Sequence, residues 1–186
     1  MGTRAFSGSA NIISVSVPAR LNVANIFEDS KTKIASVTIT GTGTIPDSAY
    51  SGCSALTRIN VASLADWLAL SFPDAAANPL ATGAKLYVDG TELSNLNIPN
   101  GTKQIGDYAF AGMKVASVTI TSSVTNIKAT AFTEWSNIAF IVPASINVAS
   151  VFAESKVKIA RVTITGTGTV PDSAYSGCTA LMRVEV

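Results

Sequence analysis

An α/β solenoid, with coils of about 22 residues that each contribute one short parallel strand, is predicted by three observations. Residues 22–58 return at 147–183 with an offset of 125, keeping the runs VTITGTGT and PDSAYSGC unchanged. The last apolar residues of the β-like runs stand at Val17, Ile39, Val61, Ile98, Ile120, Val142, Ile164 and Val186, and every step is 22 residues except the 37 from Val61 to Ile98. Around these anchors the order is apolar-x-x-apolar-x-apolar, as in Ile34-x-x-Val37-x-Ile39 and Val115-x-x-Val118-x-Ile120. A repeat of this length cannot bury its apolar face alone, so neighbouring coils must stack and share it.

Each element follows from local chemistry. The alternation that closes each pattern is rich in Val, Ile and Thr, which is the signature of a strand with one buried face. Pro18, Pro99 and Pro143 follow their anchors and end the strand, because proline cannot donate to a ladder. Next comes Asp47-Ser48-Ala49-Tyr50, with counterparts at Asp107-Tyr108-Ala109-Phe110, Ala129-Thr130-Ala131-Phe132 and Asp172-Ser173-Ala174-Tyr175. A leading Asp suits a helix N-cap, so a short helical turn on the convex side is predicted there, its aromatic pointing inward.

The 37-residue step reads as one repeat carrying fifteen extra residues, an insertion placed at 62–92. Within it Ser63 is a candidate cap for a short helix bearing Leu64, Trp67, Leu68 and Leu70, and Asp89-Gly90 is a hairpin turn between Leu86-Tyr87-Val88 and the run at Leu93. Residues 1–186 are thus expected to form a single solenoid, a piece of a longer array, whose terminal coils would associate end to end through uncovered apolar residues such as Leu181, Val184 and Val186.

Composition narrows the function. Lys and Arg number 13 against 12 Asp and Glu, so no field draws in nucleic acid or an anionic membrane. No stretch approaches the length of a membrane span, and Met1-Gly2-Thr3-Arg4 lacks the apolar run of a signal peptide. The absence of histidine removes the commonest general base and metal ligand. No catalytic residue, cofactor or metal is assigned: Asp47, Asp107 and Asp172 occupy equivalent repeat positions and read as caps, and the glycines from Gly41 and Gly166 onward lack the Lys-Ser or Lys-Thr of a phosphate loop. Cys53 and Cys178 are expected to stay reduced, because equivalent positions five coils apart lie roughly 24 Å apart at ordinary strand spacing.

The run Leu93-Ser-Asn-Leu-Asn-Ile-Pro99 followed by Gln104-Ile-Gly-Asp-Tyr-Ala-Phe-Ala-Gly112 resembles the strand-Pro and Ile-Gly-x-x-Ala-Phe pattern of the BspA-like leucine-rich repeats of bacterial surface proteins. The stretch from Ala65-Asp66-Trp67 to Lys85-Leu86-Tyr87-Val88-Asp89-Gly90 is similar to a segment recurrent in that family. The coils at Val17 and Val142 depart from the pattern, using Phe27 and Phe152 in place of Ala-Phe. The resemblance implies a leucine-rich repeat solenoid, extracellular or surface display, adhesion or binding to host proteins, and no catalytic residues.

Candidate contact residues come from strand alternation, which puts positions one and three before each anchor on the face opposite the buried set. On that outer, concave face Ser and Thr are the commonest residues, at seven of sixteen positions, interrupted by Arg58, Asn60, Asn95, Asn97, Arg161, Arg183 and Glu185 and by the apolar Ala139 and Ile141. Arg161 and Arg183 stand on adjacent strands, either as a patch for an anionic partner group or as a solvated face with Arg183 and Glu185 bridged. Trp67 and Tyr87 of the insertion are the other candidates; Trp67 and Phe72 serve equally well as a seal on the coil interior. The expected partner is a protein or a glycan, with a spacer that holds no ligand as the alternative.

Overall fold

A computed structural model describes residues 5–113, 115, 117–135, 138–151 and 159–186. Strands β1 (Ser14–Pro18) and β2 (Ser36–Thr40) lie parallel with Ser14 opposite Ser36, and β4 (Arg58–Val61) continues with Arg58 opposite Ser36. The 22-residue step is therefore the strand register, and alternation buries Val37, Ile39, Ile59 and Val61 while their neighbours face outward. Between β2 and β4, the short β3 (Gly43–Thr44) pairs with β5 (Leu70–Ser71) away from the main sheet.

The long interval is divided differently from the expected single repeat with fifteen extra residues. Strand β6 (Lys85–Val88) joins the sheet beside β4, with Leu86 opposite Ile59 and Val88 opposite Val61. Its apolar-polar alternation matches that of its neighbours, so a 27-residue step supplies a strand of its own and ten residues lead on to Ile98. Asp89 and Gly90 carry φ of 48° and 75°, the left-handed pair that a two-residue hairpin turn requires. They return the chain to β7 (Thr91–Glu92), antiparallel to β6, ahead of the predicted partner run at Leu93.

A second sheet holds β8 (Leu96–Asn97), β10 (Ser117–Thr119), β12 (Ile138–Pro143), β13 (Ile159–Thr165) and β14 (Arg183–Glu185), all parallel, while β9 (Gln104–Ile105) and β11 (Asn126–Ile127) form a separate pair. Its registers again step by 22, with one irregularity at Ile138/Ala139. Arg161 and Arg183 are exposed while Val162 and Ile164 are buried, as the alternation requires. Val184 shares the inward face with its partner Val162, but it is 45% exposed, because no described strand packs beyond β14.

The helices lie elsewhere than expected. Asp47-Ser48-Ala49-Tyr50 and its copies are turns, closed by Ala49 N–H to Pro46 C=O (3.2 Å) and Ala174 N–H to Pro171 C=O (3.1 Å), with Ser48, Tyr108 and Ser173 at positive φ. A left-handed residue after the Asp stops helix propagation. Helix α1 (Val23–Ile26) instead starts at Asn22, whose side chain accepts from Asn25 N–H; α2 (Leu64–Leu68) starts at Ser63 as predicted; and α3 (Val148–Val151) repeats α1, with Asn147 accepting from Ser150 N–H. Leu70 falls in β5 rather than on α2. Phe27 is buried and stacks on Phe6 at 4.8 Å; Phe152 lies outside the described residues.

One apolar cluster runs from Val17 to Cys178 and crosses the point where hydrogen bonding between the sheets stops, at β7 and β8. Behind that break Trp67 is fully buried and donates from Nε1 to Ala109 C=O at 3.0 Å. Asn78, also fully buried, donates to Tyr108 C=O at 2.7 Å and accepts from Leu80 N–H at 2.9 Å. The backbones approach so closely there that a Cβ on Gly112, at φ 72°, would stand 3.1 Å from Ala81 Cα.

Two predictions concern the buried polar groups. Cys53 and Cys178 are buried thiols, and burial pushes the Cys53 thiol up to about 11. Against the ordinary value of 9.0 this lowers the thiolate fraction near neutral pH by about 100-fold, so Cys53 should react at least that much more slowly with Ellman's reagent than an exposed thiol. Denaturation should release both thiols in full. Tyr50 is buried, its hydroxyl has no hydrogen-bond partner among the described residues, and burial holds the phenol above its usual range. Leaving a hydroxyl unsatisfied costs about 1–3 kcal/mol, so Tyr50→Phe should be neutral or raise stability by about 1 kcal/mol in chemical denaturation.

Candidate functional site

Strand alternation on β4 sends Arg58 and Asn60 outward, and the register of β6 sets Tyr87 opposite Asn60 and Lys85 opposite Arg58. The Arg58 guanidinium carbon lies 3.7 Å from the centre of the Tyr87 ring, its Nε donates to Asn60 Oδ1 at 2.7 Å, and its Nη2 donates to Gly90 C=O at 3.3 Å. Asn60 passes the network to β2, donating to Ser36 Oγ at 3.1 Å and to Val37 C=O at 3.3 Å. Tyr87 Oη donates to Glu92 Oε2 at 3.1 Å, and Lys85 Nζ pairs with Glu92 Oε1 at 2.7 Å. Three parallel strands and one hairpin thus fix a planar cation over an aromatic ring, an arrangement worth about 0.5–1 kcal/mol at an exposed site.

The ion pair at its edge is solvent-facing. Its hydrogen bond with Lys85 holds the Glu92 carboxyl below its ordinary value, and the Lys85 ammonium is held above its own by the same bond. The Glu92 contribution is therefore present above the ordinary carboxylate range and lost as pH falls through the depressed value. The Lys85 contribution is present below the ordinary lysine range and lost as pH rises through the elevated one.

The remaining candidates fall into three positions. Arg183 pairs with Glu185 at 2.5 Å, and Glu185 Oε2 accepts from Thr163 at 3.0 Å, so the bridged arrangement is the one adopted beside the exposed Arg161. Asn95 accepts from Ser117 Oγ at 2.8 Å, and Asn97 is exposed on β8. Trp67 is spent on the core and reaches no outer surface. Of the predicted set, Arg183 and Glu185, beside Arg161, come together on the second sheet, and Arg58, Asn60 and Tyr87 on the first. Lys85, Glu92 and Ser36 complete their network without having been singled out; for Lys85 and Glu92 the signal was the alternation KLYV before Asp-Gly, which makes residues 85–92 a sheet hairpin.

A family model described as a BspA type leucine-rich repeat region matches six copies over residues 1–68 and 83–185. No curated protein and no solved structure matches the chain.

Proposed function

This chain belongs to the BspA-type leucine-rich repeat family, and we propose that it is a protein-binding or adhesion module of a bacterial cell-surface or secreted protein. In this reading residues 1–186 form a single solenoid with no catalytic role. Parallel strands repeating at a 22-residue register support the solenoid, and the family, whose members are typically surface-associated, supports display outside the cell. Among the described residues no helix is long and apolar enough to cross a membrane.

The observation that carries the binding reading is the Arg58–Tyr87 stack on the outward face of the first sheet. Arg and Tyr are, with Trp, the residues enriched where binding energy concentrates, and here both are held in place before any partner arrives, which lowers the entropy lost on association. The mostly Ser and Thr face of β1 and β2 favours the competing reading, a spacer without a ligand.

Surface plasmon resonance of the chain against a panel of extracellular matrix proteins and glycans separates the two. Saturable binding of a protein that weakens about 30-fold in Arg58→Ala, the loss of about 2 kcal/mol expected of a hot spot, supports the module. Equal loss in Arg161→Ala/Arg183→Ala would move the contact to the second sheet. Binding to no panel member supports the spacer.

A further inference from the structure

A cleft of about 480 Å³ opens beside the Arg58–Tyr87 cluster, where the C-terminal ends of β2, β4 and β6 meet the start of α2. It is bordered by the exposed Ala62 and by Ile39 and Val61, whose side chains are otherwise buried, and two carboxylates, Asp66 and Asp89, line it. Among the described residues no cationic side chain lines it. The cations of the adjoining cluster are already committed, Arg58 to the Tyr87 ring, Asn60 and Gly90 C=O, and Lys85 to Glu92, while Arg20 lines a neighbouring pocket that shares Thr40 and Gly41.

The polar groups facing this space offer mainly acceptors. Asp66 has one oxygen held by Ser63 Oγ–H at 2.7 Å, which fixes the carboxylate and, among the described residues, leaves its other oxygen available. The Thr40 hydroxyl spends its proton on Val17 C=O at 3.3 Å and keeps its lone pairs. Asn60 has its donors on Ser36 and Val37 and its oxygen on Arg58, so it has little left to give. A sugar would require donors and acceptors together. A bare divalent cation prefers six or more oxygens, and among the described residues no group of three His, Cys, Asp or Glu side chains could hold one. An exposed alanine and two strand ends beside two carboxylates instead suit a side chain with a methylene stem and a donor-only cationic head.

We infer that this cleft receives a lysine or arginine side chain of the protein partner, the stem lying along Ala62 and the ends of β2 and β4 and the head between Asp66 and Asp89. The inference rests on the protein-binding reading of the adjoining sheet face and adds the chemistry of one partner residue. Cleft and face share Asn60 and Thr38, so one partner surface reaches both.

The test is a ¹⁵N-resolved NMR titration of the full chain with the blocked peptides acetyl-Gly-Arg-Gly-amide, acetyl-Gly-Lys-Gly-amide and acetyl-Gly-Glu-Gly-amide. The Arg or Lys peptide should shift the amides of Gly41, Asp66, Asp89 and Gly90 saturably in the millimolar range, and the Glu peptide should not. Asp66→Asn/Asp89→Asn, which keeps an oxygen for Ser63, should weaken this binding at least tenfold with the rest of the spectrum unchanged. Equal shifts with the Glu peptide, shifts centred on Glu185 instead, undiminished binding in the double variant, or saturation of the same amides by calcium chloride would each overturn the inference. These outcomes are independent of the partner screen: a cleft that ignores basic peptides leaves the sheet-face reading standing, and a cleft that binds them while Arg58→Ala leaves partner binding intact sinks the sheet-face reading alone.

Discussion

Trp67→Ala should destabilise the protein by about 3–5 kcal/mol, the range for deleting a fully buried aromatic side chain. Trp67 is completely enclosed, its ring lies 5.3 Å from that of Phe72, and its Nε1 ties the first half of the chain to Ala109 in the second. That tie crosses the junction at β7 and β8, where the two five-stranded sheets are not hydrogen-bonded to each other among the described residues. The variant should therefore lower the midpoint and also lose cooperativity, with β1–β6 and β8–β14 melting apart, since a stacked array unfolds as one unit only while its interfaces hold. Urea denaturation followed by far-UV circular dichroism reads both effects. Trp67→Phe keeps most of the packing and loses the donor, so it should cost about 1–2 kcal/mol and remain a single transition. A loss below about 1 kcal/mol for Trp67→Ala would show that the junction is held elsewhere.

Asn78→Asp should cost at least about 3 kcal/mol at neutral pH, because it leaves an unpaired charge in the interior. The amide nitrogen faces two carbonyl oxygens, of Tyr108 at 2.7 Å and Ala109 at 3.3 Å, and a carboxylate oxygen in its place would be repelled by both. Burial and that repulsion raise the folded-state pKa of the introduced carboxyl above its unfolded value. Protonation restores a donor, so the deficit relative to the natural protein should shrink as pH falls through the raised folded value and grow again as pH rises through it. Thermal melts of both proteins from neutral pH down to about pH 5 measure this. A pH-independent deficit would mean that the site opens to water.

Much of this was legible from spacing alone. The 22-residue step of apolar anchors is the parallel register, and the Val-Thr-Ile alternation correctly separated buried Val162 and Ile164 from exposed Arg161. Asp89-Gly90 announced its hairpin because only a few residue pairs tolerate two successive left-handed conformations. The turns at Asp47 and Asp172 were misread as helix starts: an Asp before a small residue serves a helix cap and a tight turn equally well, and the left-handed φ of Ser48 and Ser173 decides between them.

The candidate site shows the same division. Its residue types were visible on β4, but the partner of Arg58 was not, because alignment to a 22-residue period hid β6 inside an insertion. What the sequence determined by itself is everything carried by local periodicity: strands, their inward and outward faces, and the stacking of identical apolar positions at one fixed step. What only the tertiary structure decided is where that step fails. The placement of β6 on β4, the stack of Tyr87 on Arg58, and the clasp of Trp67 and Asn78 on residues 108–109 join positions 27 to 42 residues apart. Such contacts follow from how a non-repeating segment fills the space its neighbours leave, and a repeating pattern holds no record of that.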